Sequence, residues 1–143
     1  MVQLLLRLGA APDVVDSGSH TPLYWVGNGC AAATGRDVVQ VLIAAGANVN
    51  ANAGVKRCTP LHMAARRGHL EVAAALLDCG AAVEPRDSQG DTPLRRAVNC
   101  GRTNVAALLI SRGANPHSVG SKGLTPAQAA RTAAMKTILA QAI

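Results

Sequence analysis

Two short markers recur along this 143-residue chain at almost the same interval, and that periodicity limits the fold more than any other feature. Thr-Pro pairs open at Thr21, Thr59, Thr92 and Thr125, in steps of 38, 33 and 33 residues. Gly-Ala pairs fall at Gly9, Gly46, Gly80 and Gly113, in steps of 37, 34 and 33. A fixed period of this size marks stacked units, each too small to bury its own apolar face, that share a continuous core with their neighbours.

Each unit reads as a pair of helices. Threonine can cap a helix start, and the following proline lacks an N–H that would be unpaired there anyway. In TPLHMAARRGH, Thr59-Pro60 opens a short helix that Gly68 closes. A second helix follows in HLEVAAALLDCG, with Val72, Leu76 and Leu77 on one face and Gly80 at its end. The same apolar set recurs as Val38, Leu42 and Ile43 before Gly46, and as Val105, Leu109 and Ile110 before Gly113. Polar, Gly-containing stretches such as EPRDSQGD read as extended hairpin loops between units.

On these residues the chain resembles the ankyrin-repeat family. Thr59-Pro-Leu-His-Met-Ala64 matches the family's T-P-L-H-x-A signature in full; Thr92-Pro-Leu-Arg-Arg-Ala97 and Thr21-Pro-Leu-Tyr-Trp-Val26 match it in part. The resemblance covers essentially the whole chain. It implies an all-α solenoid of stacked helix–turn–helix units with hairpin loops, inner helices and hairpin tips lining a concave face, and recognition of proteins as the usual role. The expected division of the single repeat domain 1–143 is a half repeat and hairpin (1–20), full repeats at 21–58, 59–91 and 92–124, and a cap-like repeat at 125–143.

Three departures qualify the pattern. Met1 to Leu8 supplies only a second helix, so either the chain begins with a half repeat or it is a segment of a longer protein. The last repeat carries Ala127, Arg131 and Lys136 where its siblings have Leu, Ala or Val, and Leu or Asn; polar residues on an outer face are what a terminal cap requires. The first full repeat holds four extra residues in Gly27–Gly35, expected as a longer helix–helix turn, and one more in the hairpin ANAGVKRC. Insertions in repeats map to loops on one face, often the binding face.

Composition narrows the class further. Apolar residues make up 49% of the chain, yet Phe is absent and Trp and Tyr occur once each. The interior must then be built from Ala, Leu, Val and Ile, which lets helices approach closely. No window reaches the roughly 18 uninterrupted apolar residues of a membrane span, and MVQLLLRLGAAP lacks the layout of a signal peptide. Cys30, Cys58, Cys79 and Cys100 are too far apart for a metal pair or a crowded disulfide framework. Reduced thiols in a cytoplasmic or nuclear protein are the expectation.

The sequence argues against catalysis. His20, His62, His69 and His117 fall at different places in the repeat frame, and His62 occupies the signature histidine, which by the resemblance ties a turn to its neighbour. Neither H-E-x-x-H nor G-x-S-x-G occurs, and GNGCAAATG misses the spacing of both dinucleotide and P-loop motifs. We expect no catalytic residues, no metal and no cofactor.

The expected function is therefore a protein–protein interaction module, an adaptor or substrate-recognition segment. Aligning the repeats puts Trp25, Met63, Arg96 and Ala129 at the variable position of the signature. Asn28, Arg66, Asn99 and Thr132 follow one turn later, then Gly29, Arg67, Cys100 and Ala133. With hairpin residues they should line the concave side. The partner-binding set expected there is Trp25, Asn28, Lys56, Met63, Arg66, Arg67, Arg86, Gln89, Asp91, Arg96, Asn99 and Lys122. Trp, Met and Arg are enriched in interface cores.

Fourteen basic residues against eight acidic ones give a net charge of +6, which favours an acidic peptide or acidic patch as partner. The alternatives are inhibition of a folded enzyme and electrostatic binding to nucleic acid or an anionic surface. The last is disfavoured by the lack of aromatic stacking platforms. Two further expectations concern self-association through the apolar Leu4–Leu8 edge and modification of Asn50. The stretch LIAAGANVN resembles the ankyrin hairpin in which an asparagine is hydroxylated.

Overall fold

The computed structural model describes residues 2–29 and 32–142. They form α1 (Val2–Arg7), α2 (Pro22–Gly29), α3 (Ala32–Ala44), α4 (Pro60–Arg67), α5 (Leu70–Asp78), α6 (Pro93–Asn99), α7 (Thr103–Ser111), α8 (Pro126–Ala129) and α9 (Ala133–Gln141). Inner helices stack in the order α2, α4, α6, α8, and outer helices in the order α1, α3, α5, α7, α9. A 3-10 turn, Ser121–Gly123, and an isolated bridge between Ala53 and Cys58 mark the hairpins.

Both sequence markers are helix-end devices. Thr59, Thr92 and Thr125 are extended and accept the backbone N–H three residues on, from His62, Arg95 and Gln128. Thr21 does the same for Tyr24 at 3.3 Å. The Gly-Ala pairs are C-terminal caps. Gly9, Gly46, Gly80 and Gly113 sit at φ +90, +99, +88 and +94°, a conformation strained for any residue with a Cβ. In each, the glycine N–H returns to the carbonyl three residues back and the alanine N–H to the carbonyl five back. Ala81 to Leu76 at 2.9 Å and Ala114 to Leu109 at 3.0 Å are examples.

The core is a row of small and branched side chains. Leu23, Leu61 and Leu94, the signature leucines, are buried between inner and outer helices with Ala64, Ala97, Leu76 and Leu109. Gly27 lies where a Cβ would come within 2.5 Å of the Pro60 carbonyl, so α2 and α4 meet at a distance only glycine permits. In α3 the buried valine is Val39, while Val38 packs at the margin of the core. At the position of Val39 the next two repeats carry Ala73 and Ala106, both fully buried.

The four-residue insertion does not form a loop. α3 spans 13 residues where α5, α7 and α9 span nine, so the extra length becomes an added helical turn. Four residues come close to the roughly 3.6 of one turn, so the apolar face stays aligned with its neighbours. Cys30 and Ala31, inside the insertion, and Met1 lie outside the described residues. The hairpin insertion does loosen a turn: Ala53 pairs with Cys58 five residues on, where Asp16 pairs with His20 and Asp87 with Asp91 at four.

Candidate protein-interaction surface

Hairpins lean on the inner helices, and the repeat frame fixes which side chains meet there. Asp16 and Asp87 hold equivalent hairpin positions. Asp16 accepts the backbone N–H groups of Gly18 at 2.8 Å and His20 at 2.9 Å, and Asp87 those of Gln89 at 2.9 Å and Asp91 at 3.1 Å. The second oxygen of each carboxylate then reaches the inner helix. Trp25 Nε1 donates to Asp16 at 2.9 Å, and Arg96 Nε donates to Asp87 at 2.7 Å. In the repeat between them the same two positions hold Ala53 and Met63, both buried, and in the last repeat Gly120 and Ala129. Polar faces polar and apolar faces apolar, so the variable helix position is matched to its own hairpin.

The backbone amide of His20 is the main reason the Asp16 carboxyl is held at about 2 instead of 3.8; the Trp25 indole and the Gly18 amide add to it against a smaller opposing effect of desolvation. Tyr24 and Cys58, beside it, are both raised, chiefly because burial disfavours their charged forms. Cys58 therefore behaves as a small core group, not a reactive thiol.

Successive units are fastened at regular intervals. His62 Nδ1 accepts the Thr59 N–H at 3.1 Å and its Nε2–H donates to the Asp91 carbonyl of the next hairpin at 2.9 Å. Burial lowers the His62 pKa, keeping it neutral for this bridging role. One repeat later Arg95 does the same work, donating to the Thr125 carbonyl at 2.9 Å. A second ladder runs along the other edge. Asp13 accepts the Asn48 N–H at 2.9 Å, Asn50 the Ala82 N–H at 2.8 Å, and Glu84 the Asn115 N–H at 2.8 Å. Asn50 is exposed, with its amide oxygen engaged in that tie.

The expected contact residues divide into three groups. Met63 and Asp91 are buried, at 3% and 1% exposure, and are corrected to structural residues. Met63 floors the surface under Ala53, and the Asp91 carboxylate accepts the Ser121 N–H at 2.8 Å. Arg95, beside Arg96 in the sequence, is likewise buried. A second group is exposed or half-buried and engaged within the chain. Arg86 donates to the Gly90 and Val119 carbonyls at 2.8 Å, and Arg96 adds Gln89 at 2.8 Å to its Asp87 pair. Arg67 donates to Asn28 at 2.9 Å, and Trp25, half exposed, is held by Asp16 with Tyr24 and His20 rings 5.5 Å away. Trp25 thus packs on its own hairpin.

The third group is free. Lys56, Arg66, Asn99 and Lys122 are exposed and their side chains make no hydrogen bond or ion pair. Lys56 and Arg66 line a groove of about 530 Å³ with His20, Tyr24, Val55 and Met63. Val55, at the tip of the lengthened hairpin, is 97% exposed. Sequence reasoning passed over Val55 and Tyr24; the extra residue beside an apolar side chain was the available signal. Among the described residues no cluster of His, Cys, Asp or Glu has the arrangement to hold a metal ion, and no helix is long and apolar enough to cross a membrane.

Comparison with known proteins agrees with this architecture. Residues 28–119 match the family of ankyrin repeats in its three-copy form. Among curated proteins, the human Ankyrin repeat and SOCS box protein 16 is 37% identical over 91 residues, covering 64% of this chain and 19% of that protein. The Drosophila melanogaster Palmitoyltransferase Hip14 is 35% identical over 89 residues, covering 62% of this chain and 13% of its own length. The Arabidopsis thaliana E3 ubiquitin-protein ligase KEG is 35% identical over 92 residues, 64% of this chain and 5% of that protein. The chain thus spans less than a fifth of the length of each of these relatives.

Proposed function

This chain belongs to the ankyrin-repeat family, whose repeats serve as non-catalytic protein-interaction modules, and on that premise we propose that it holds a partner protein on its concave face. The observation that carries the reading is the groove between the second hairpin and the inner helices. There Lys56 and Arg66 stand without an ion pair beside Tyr24 and the exposed Val55, over the buried Met63. The neighbouring Arg96 and Arg86 are satisfied within the chain, whereas Lys56 and Arg66 are left free beside the exposed Val55. Interfaces with an apolar centre and a charged rim fit that arrangement, and the charge suits an acidic patch.

In this role the chain is an adaptor or substrate-recognition segment, working in the cytoplasm or nucleus. The far greater length of its relatives supports that reading, since in each the similar stretch is one part of a longer protein.

Charge reversal tests it. The Lys56→Glu, Arg66→Glu double variant should lose the protein captured by the parent chain from lysate, while Lys136→Glu, on exposed outer helix α9, should keep it. Identical capture by parent and double variant would overturn the concave-face reading.

A further inference from the structure

The concave face carries a second groove that meets the first at Arg96. It measures about 820 Å³ and runs between the third hairpin, the end of α6 and the last repeat. Lys122 and Arg131 stand on its walls, exposed and without a hydrogen bond or ion pair. Among the described lining residues its one acid is Asp91, which is buried and bonded to the Ser121 N–H. The two grooves differ in character. The first combines free cations with Tyr24 and the fully exposed Val55; the second offers cations with the amides of Gln89, Asn99 and Gln128, its apolar lining being the partly exposed Leu124 and two alanines. Between them the Arg96 charge is offset by Asp87.

We propose that the occupant of this face is an extended segment of a partner protein with an ordered pattern. An apolar side chain sits in the first groove and acidic side chains lie several residues away, between Lys122 and Arg131. The inference rests on the concave-face reading above and adds to it the chemistry and direction of the ligand. Inner helices packed roughly 8–10 Å apart put the three steps from α2 to α8 at about 25–30 Å. An extended chain rising about 3.3 Å per residue covers that in roughly eight or nine residues.

Charge placement favours a peptide over a nucleic acid. A nucleic-acid strand carries a phosphate at every step and calls for continuous cationic lining with stacking platforms. Here the strip is interrupted at the Arg96–Asp87 pair, and Trp25 is held against its own hairpin by Asp16. An apolar anchor followed at a distance by carboxylates matches both the interruption and the apolar end.

The test is selection from a bead-bound library of random dodecapeptides on the full chain. Selected peptides should pair an apolar residue with at least two acids several positions away. Their affinity should fall about tenfold or more on Lys122→Glu, Arg131→Glu, and recover when the peptide's acids are exchanged for lysines. That recovery shows the variant is folded. Absence of selected peptides, peptides without acids, affinity indifferent to the double variant, or tighter binding of a thymidine dodecanucleotide would each overturn the proposal. Peptides without acids whose binding is lost on Lys56→Glu, Arg66→Glu would leave the concave-face reading standing and remove only this one. Binding indifferent to both pairs would remove both.

Discussion

Trp25 donates its indole N–H to Asp16 across nine residues, and Arg96 makes the equivalent bond to Asp87 across the same nine. The variable helix position, which composition alone marks as a contact site, is first of all half of an internal pair. Asp16 ties Trp25 to the turn made by Gly18 and His20, so the carboxylate must be charged to serve all of them. Its pKa of about 2 lies below the ordinary 3.8, so its stabilising effect is complete above pH 3.8 and is lost as pH falls towards 2. Because Trp25 is the sole tryptophan, its emission reports this directly. An acid titration should show a Trp25 transition centred near pH 2, absent in Asp16→Asn. A transition centred near pH 4 would show that the bond does not persist in solution.

His62 makes the fold sensitive to mild acid. Burial lowers its pKa below 6.5, so the folded state binds fewer protons than the unfolded one. Its contribution is therefore full above pH 6.5 and declines as pH falls from there through the folded value. The urea midpoint should drop as pH falls below 6.5. His62→Gln retains the helix-capping chemistry that Gln128 shows in α8 and should flatten that drop. It also removes one of the two donors to the Asp91 carbonyl, which keeps the Asp87 N–H, lowering stability at pH 7.5 by about 1 kcal/mol. An unchanged pH profile in the variant would contradict the assignment.

Gly27 sets two opposing effects against each other. Alanine is favoured over glycine inside a helix by about 1 kcal/mol. The added Cβ, however, would press within 2.5 Å of the Pro60 carbonyl, and backbone cannot move aside as a flexible side chain can. Crowding of this kind costs about 1–3 kcal/mol, so Gly27→Ala should lower the melting temperature. A rise would mean that α2 and α4 are farther apart than described.

Asn50 carries one rung of the ladder between repeats. Asn50→Ala removes the acceptor of the Ala82 N–H and should destabilise the chain by about 1 kcal/mol in chemical denaturation. As the candidate for hydroxylation, Asn50 should gain one oxygen on incubation with an asparaginyl hydroxylase. An unchanged peptide mass would remove that expectation.

Much of the architecture was legible in the sequence because its markers act locally. Thr-Pro is a cap and Gly-Ala a reversal of the chain, and each works through bonds within a few residues of itself. What escaped reading depended on pairs further apart. Glycines in Gly27–Gly35 suggested a loop, but helix propensity extended α3 by a turn instead. Arg95 and Arg96 are adjacent in sequence, yet one is buried as a bridge to the next hairpin and the other is paired with Asp87. Counting basic residues could not separate them from Lys56 and Arg66, whose charges remain free. The constant spacing of Asp16 to Trp25 and Asp87 to Arg96 was visible, but it acquires meaning only once hairpin and helix are known to face each other.

The central claim is that a protein partner is held on the concave face, and site-specific photo-crosslinking tests it most directly. A photoreactive amino acid in place of Val55, at the rim of the first groove, is compared with one in place of Gln40, exposed on outer helix α3. Irradiation in lysate should join a discrete partner to the chain from position 55 and none from position 40. Adducts from position 40 alone would place the partner on the opposite side of the stack and contradict the account.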